Sequence, residues 1–162
     1  MENYIQLKEN EDILKLRIRD EKGKDTGEML VFNLQDIDLP LRLQQMEEED
    51  KKNRANLRNQ FVIIDKKEDH KGKKLFSAKE EAKIKAMQEF YKKEIDIYNL
   101  FLGERGVQKL LNGRELSWNT LEEIDEIIEK AILPKLQINA DSIKEKIAKK
   151  YSIDVKKDDV IE

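Results

Sequence analysis

Along the first third of the chain, apolar residues alternate with polar ones. From Ile13 to Arg19, Leu14, Leu16 and Ile18 alternate with charged residues, as in a strand with one buried face. From Glu28 to Leu34 the alternation returns, with Leu30, Phe32 and Leu34 on one face and Met29, Val31 and Asn33 on the other. The polar stretch Asp20 to Gly27 holds two glycines and predicts the turn between them. A weaker alternation, Tyr4-Ile5-Gln6-Leu7-Lys8, predicts a further strand ahead of these. Together they make a small antiparallel meander with one face buried. So few strands do not hold together alone in water, so a helix or a partner must cover that face.

From Asp38 onward the apolar spacing changes to three and four. Asp38 is placed to cap a helix, and Pro40 fits its first turn. Leu39, Leu43 and Met46 follow on one face; the chain is then almost wholly polar until Leu57, Phe61 and Ile64 resume the stripe. This reads as one long helix with a solvated middle or as two helices with a break. Phe61-Val62-Ile63-Ile64 also fits a short strand, but the spacing favours helix. A charged loop, Asp65 to Lys74, comes next. Ser77-Ala78-Lys79-Glu80 is a capping box, and it opens a helix that runs to Leu102. Its stripe is Ile84, Met87, Tyr91, Ile95, Tyr98 and Leu102, and Gly103 is placed to end it. Gly106 to Leu111 predicts a short helix, closed by Asn112-Gly113. Thr120-Leu121-Glu122-Glu123 is a second capping box, opening a helix through Ile124, Ile127, Ile128, Ala131 and Ile132 that Pro134 kinks or ends. Asp141-Ser142 starts a last helix carrying Ile143, Ile147 and Tyr151. The expectation is a predominantly helical α+β protein of one domain. Residues 1–36 form the β-hairpin or meander, residues 37–151 a bundle of about four to five helices, and residues 152–162 a charged tail that frays.

Composition thins the expected core. Charged residues make up 41% of the 162 and apolar residues 38%, which favours long exposed helices over a thick layered sheet. Cysteine is absent, which excludes disulfides, thiolate metal sites and thiol catalysis. No apolar run is long enough to span a bilayer and no signal-peptide core is present, so the expected location is the cytoplasm of a bacterial host cell, with no membrane partner. The net charge of −3 speaks against a nucleic-acid partner. It also hides an asymmetry. Lys51 to Lys93 holds 14 basic and 6 acidic residues, a balance of +8, which leaves −11 for the rest. These runs are either solvated helix faces or complementary surfaces for self-association.

Candidate chemistry is sparse. The one histidine, His70, lies in the lysine-rich loop with nothing apolar to exclude water. Asp65 and Asp69 lie close to it in sequence, but no nucleophile elbow accompanies them. Glu122, Glu123, Asp125 and Glu126 crowd the first turns of a helix, where the dipole favours negative charge, and no spacing resembles a calcium loop. Gly103-Glu104-Arg105-Gly106 lacks the preceding strand and the lysine of a phosphate loop. A metal-dependent hydrolase using Asp65 or Glu68 is the enzyme reading, and no strand carries those residues. The expectation is therefore no enzyme, no catalytic residue, no metal and no cofactor.

Protein binding remains. Leu100, Phe101 and Leu102 turn a helix end apolar on all sides. Trp118, the only tryptophan, lies in the loop before the next helix, whose apolar face carries Ile128 and Ile132. These six are the candidate protein-interface residues. Their other reading is as core plugs between helices.

The order of elements is itself suggestive. Val31-Phe32-Asn33-Leu34-Gln35-Asp36-Ile37 leads into a helix, and a long central helix ends in Asn99-Leu100-Phe101-Leu102-Gly103-Glu104-Arg105-Gly106-Val107-Gln108-Lys109-Leu110-Leu111. The closing helix carries Ile127, Ile128, Ile132, Leu133 and Pro134. Over residues 28–137 this resembles the small tail assembly chaperones of long-tailed phages and prophages of Gram-positive bacteria, with Phe101 to Gly106 as the nearest shared motif. The resemblance implies a protein that coats the tape-measure protein, recruits tail-tube subunits and is absent from the finished particle. It also implies that a longer product can arise by ribosomal frameshifting. It supplies no catalytic residues. The alternative is a small phage-encoded inhibitor of a bacterial defence complex, of the anti-CRISPR type. Such a protein would act by surface binding, with its acidic C-terminal half imitating nucleic acid.

Overall fold

The computed structural model describes residues 2–9 and 12–150. An antiparallel hairpin of β1 (Ile13–Arg19) and β2 (Asp25–Asn33) leads into helices α1 (Asp38–Asp65), α2 (Ala78–Leu102), α3 (Gly106–Leu111), α4 (Trp118–Ile127) and α5 (Leu133–Lys150). A π-helical turn, Ile128–Ile132, joins α4 to α5 with helical backbone on both sides, so the three run on as one helix. The protein is thus a two-stranded hairpin followed by four helices, mostly helical α+β as the apolar spacing predicts.

The hairpin alternates as its sequence does. Leu14 pairs with Phe32 and Leu16 with Leu30, and these four point towards the helices. The second strand starts earlier than Glu28. Arg17 pairs with Met29 but Arg19 with Asp25, so Ile18 faces Thr26, Gly27 and Glu28 across a bulge. Gly27 takes φ +80° there, a conformation that glycine adopts without strain. Tyr4–Lys8 is not a strand. Tyr4, Ile5 and Leu7 lie open to solvent, because five residues with a single alternation bury too little to repay ordering a further strand.

α1 is one unbroken helix, and Phe61–Ile64 belong to it. Asp38 does not cap it. Asp36 opens it instead, accepting from the Asp38 N–H at 2.9 Å and holding Arg42 at 2.6 Å. α2 starts on the expected capping box, with both Ser77–Glu80 bonds formed. Its buried line is Phe90, Glu94, Tyr98, Phe101 and Leu102, while Met87 faces outward, so the seam is rotated from the expected stripe. α4 starts at Trp118, capped by Ser117, and Thr120 supplies the return bond instead of the cap. Pro134 does not end the helix. The Leu133 N–H bonds to the Ile128 carbonyl five residues back, and this wide turn absorbs the disturbance directly before the proline. Asp141-Ser142 therefore lies within α5 and not at a helix start. Tyr151 and the 152–162 tail lie outside the described residues.

The core joins Leu30 and Phe32 to Leu39, Leu43 and Met46 of α1, the line on α2, Val107 and Leu111 of α3, and Leu121, Ile124, Ile128, Ile132 and Leu136. The Phe32 and Phe101 rings lie 5.4 Å apart. Asn99 ties the end of α2 to α3. Its Oδ1 accepts from the Val107 N–H at 2.8 Å, and its Nδ2 donates to Gln108 Oε1 at 2.9 Å. A Cβ on Gly106 would lie 2.6 Å from the Leu102 Cβ, so the turn between Phe101 and Gly106 closes only around a glycine. No residue from 58 to 89 joins the core. The outer halves of α1 and α2 pack on each other as an arm. With 28 residues in α1, the helix is about 42 Å long at 1.5 Å per residue.

Candidate functional site

The arm leaves the core at a cluster of polar side chains. Glu94 is fully buried on α2. Asn53 of α1, also buried, donates both amide hydrogens across the helix pair, to Glu94 Oε1 at 2.8 Å and to the Phe90 carbonyl at 3.1 Å. Glu94 Oε2 has no donor beside it. Burial raises the Glu94 pKa first, and the Asp50 side chain raises it further; against the opposing bond from Asn53 it is pushed up to about 8. A protonated Glu94 supplies the missing bond itself, by donating towards Asp50.

Next to this pair, Arg54 Nε reaches both Asp50 oxygens, at 2.9 and 3.0 Å. Burial opposes the Arg54 charge, but Asp50 outweighs it and holds the guanidinium protonated. The guanidinium lies 4.9 Å over the Trp118 ring and 3.7 Å from Asp125. The Tyr98 hydroxyl donates to Asp125 Oδ1 at 2.5 Å. Burial raises the pKa of both: of Tyr98 further through that bond, and of Asp125 against the opposing effects of Tyr98 and Arg54. The phenol is thus held protonated, as a donor to Asp125.

Asp50, Tyr98 and Asp125 of this cluster line a cleft of about 330 Å³ between α1 and the α4–α5 helix. Leu43, Met46, Ile128 and Leu133 give it an apolar floor; Glu47, Asp50, Asp125 and Glu129 line its rim against Lys51. The cleft suits an apolar group carried next to a positive charge. Among the described residues, no three acidic or histidine side chains converge as metal ligands would. The Asp65-to-Lys74 loop closes the arm. The His70 carbonyl accepts from Ala78, Asp69 accepts from the Lys79 N–H at 3.1 Å, and Asp65 pairs with Lys83 at 2.6 Å.

The six candidate interface residues divide. Phe101, Leu102, Ile128 and Ile132 are buried in the core, the plug arrangement that the sequence also allowed, and of these Ile128 lines the cleft as well. Leu100 and Trp118 are exposed, and the Trp118 ring lies against the Arg54 guanidinium. The sequence reading missed Asn53 and Glu94. Their signal was an acid four residues from both Phe90 and Tyr98, on the face of α2 that is buried.

Compared with known proteins, the chain matches no family profile, no curated relative and no solved structure.

Proposed function

We propose that this chain is a non-enzymatic protein-binding factor that docks a helix of its client along α5. One observation carries the reading. Leu136 is buried, and its helix face continues through Ala140, Ile143 and Ile147 at steps of four, three and four, the spacing of a coiled-coil seam. Beyond Ile143 it runs clear of the core, and Ile147 is 49% exposed. A seam covered at one end and open at the other fits a partner helix laid alongside.

Within that class, the particular function we propose is that of a tail assembly chaperone, binding the tape-measure protein and tail-tube subunits. Two things support it: the resemblance over residues 28–137, and a seam shaped for a long helical client. The test is co-purification of the tagged chain with the tape-measure and tail-tube proteins of its own gene cluster. The double variant Ile143→Asp, Ile147→Asp, altered beyond the core, is expected to keep its circular dichroism spectrum and bind the client at least about tenfold more weakly. Failure of the wild-type chain to capture either protein, or equal capture by the variant, would count against this function.

A further inference from the structure

The geometry points to head-to-tail self-assembly, in which the Leu75-Phe76 tip of one copy's arm enters the α1–α4 cleft of the next. Leu75 is 82% exposed and Phe76 44%, at the far end of the arm. Lys73 and Lys74 precede them directly, and neither makes an ion pair among the described residues. The cleft offers the complement: an apolar floor and a rim on which Glu47 and Glu129 are likewise unpaired. The same chain cannot make this contact. The cleft meets α1 no later than Lys51, whereas the tip follows Asp65. The intervening helix holds the two apart by about 21 Å at 1.5 Å per residue. Tip-to-tip pairing would set lysines against lysines, so that contact is disfavoured. A contact between two different surfaces either closes reciprocally between two copies or propagates, as a ring or as an open filament. This inference stands apart from the client reading, because it uses neither Ile143 nor Ile147.

The experiment is sedimentation velocity on the whole chain, from micromolar to millimolar concentration, at low and high salt. Wild type is expected to form concentration-dependent oligomers that weaken about tenfold or more as added salt shortens the screening length. Lys73→Glu with Lys74→Glu makes a chain whose tip and rim are both acidic. Glu47→Lys with Glu129→Lys makes one in which both are basic. All four positions are exposed, so circular dichroism should show both chains folded. Each alone is expected to stay monomeric, and an equimolar mixture to reassemble, because every tip then meets a rim of opposite sign. The inference is overturned by a wild type that is monomeric throughout, by a variant that assembles alone as wild type does, or by a mixture that stays monomeric. Co-purification by the Ile143, Ile147 double variant reads the client interaction separately, so either conclusion can fail without the other.

Discussion

Glu94 should make the protein less stable as the pH rises through neutrality, and Glu94→Gln should abolish that loss. The carboxyl is fully buried, lacks a donor at Oε2 and has its pKa raised from an ordinary 4.5 to about 8. A group with a raised folded pKa binds its proton more tightly in the fold. The stability this confers is fully present below 4.5 and is lost progressively as the pH climbs towards 8. At 1.36 kcal/mol per tenfold change in proton affinity, the limit is about 4–5 kcal/mol, and local hydration brings the expected loss to about 2–4 kcal/mol. Asp50 and Arg54 face Glu94 from α1 and Tyr98 from its own helix, and Asn53 holds its other oxygen. Gln copies the protonated acid: its carbonyl still accepts from Asn53 and its amide donates towards Asp50. Urea unfolding followed by circular dichroism from pH 5 to pH 9, wild type against Glu94→Gln, tests the assignment, because the two chains differ at this side chain alone. The two should be nearly equal at the acid end, and Gln should be the more stable at the alkaline end. Equal slopes in the two chains, or a glutamine variant that weakens alongside wild type at high pH, would refute the assignment.

Two further changes probe the same frame. Gly106→Ala places a Cβ 2.6 Å from the Leu102 Cβ, a contact with no flexible end to give way; thermal unfolding should show a loss of about 1–3 kcal/mol. Tyr98→Phe removes the donor to half-buried Asp125, with an expected loss of about 1–2 kcal/mol in denaturant titrations.

What the sequence discloses follows from whether a signal is local. Ser77 and Glu80 cap α2 through their own backbone neighbours, so the box was readable. Ser117 is masked by Thr120–Glu123, which has the commoner box pattern three residues on, whereas the helix uses two hydroxyl residues to close its own. Pro134 read as a break because a proline in a regular α-helix clashes with the preceding turn. The π turn that relieves it has no signature in the residue types. The polar cluster was hidden for a different reason. An acid on a helix rich in lysine and glutamate reads as solvated surface, and only the arrival of Asn53 from a distant turn of α1 reveals which face is inside. The cleft depends on three helices meeting, so no single stretch of sequence announces it.

The buried polar contact also answers a problem that the arm creates. Beyond the core, α1 and α2 meet over small residues such as Ala82 and Ala86, together with Leu57 and Ile64, and such an interface discriminates poorly between registers. Sliding one helix past the other by a turn, about 5.4 Å, would cost little there. At the base of the arm the same slide would separate Asn53 from both Glu94 and the Phe90 carbonyl and leave the Asn53 amide and Glu94 Oε1 buried without their partners. Each stranded group costs about 1–3 kcal/mol, enough to select one register for the whole arm. A nonpolar pair at this point would add burial but would not choose between registers, as with a lone asparagine in a coiled-coil seam. The position of the tip relative to the cleft, and so the geometry of any assembly built from them, is therefore set where Asn53 meets Glu94.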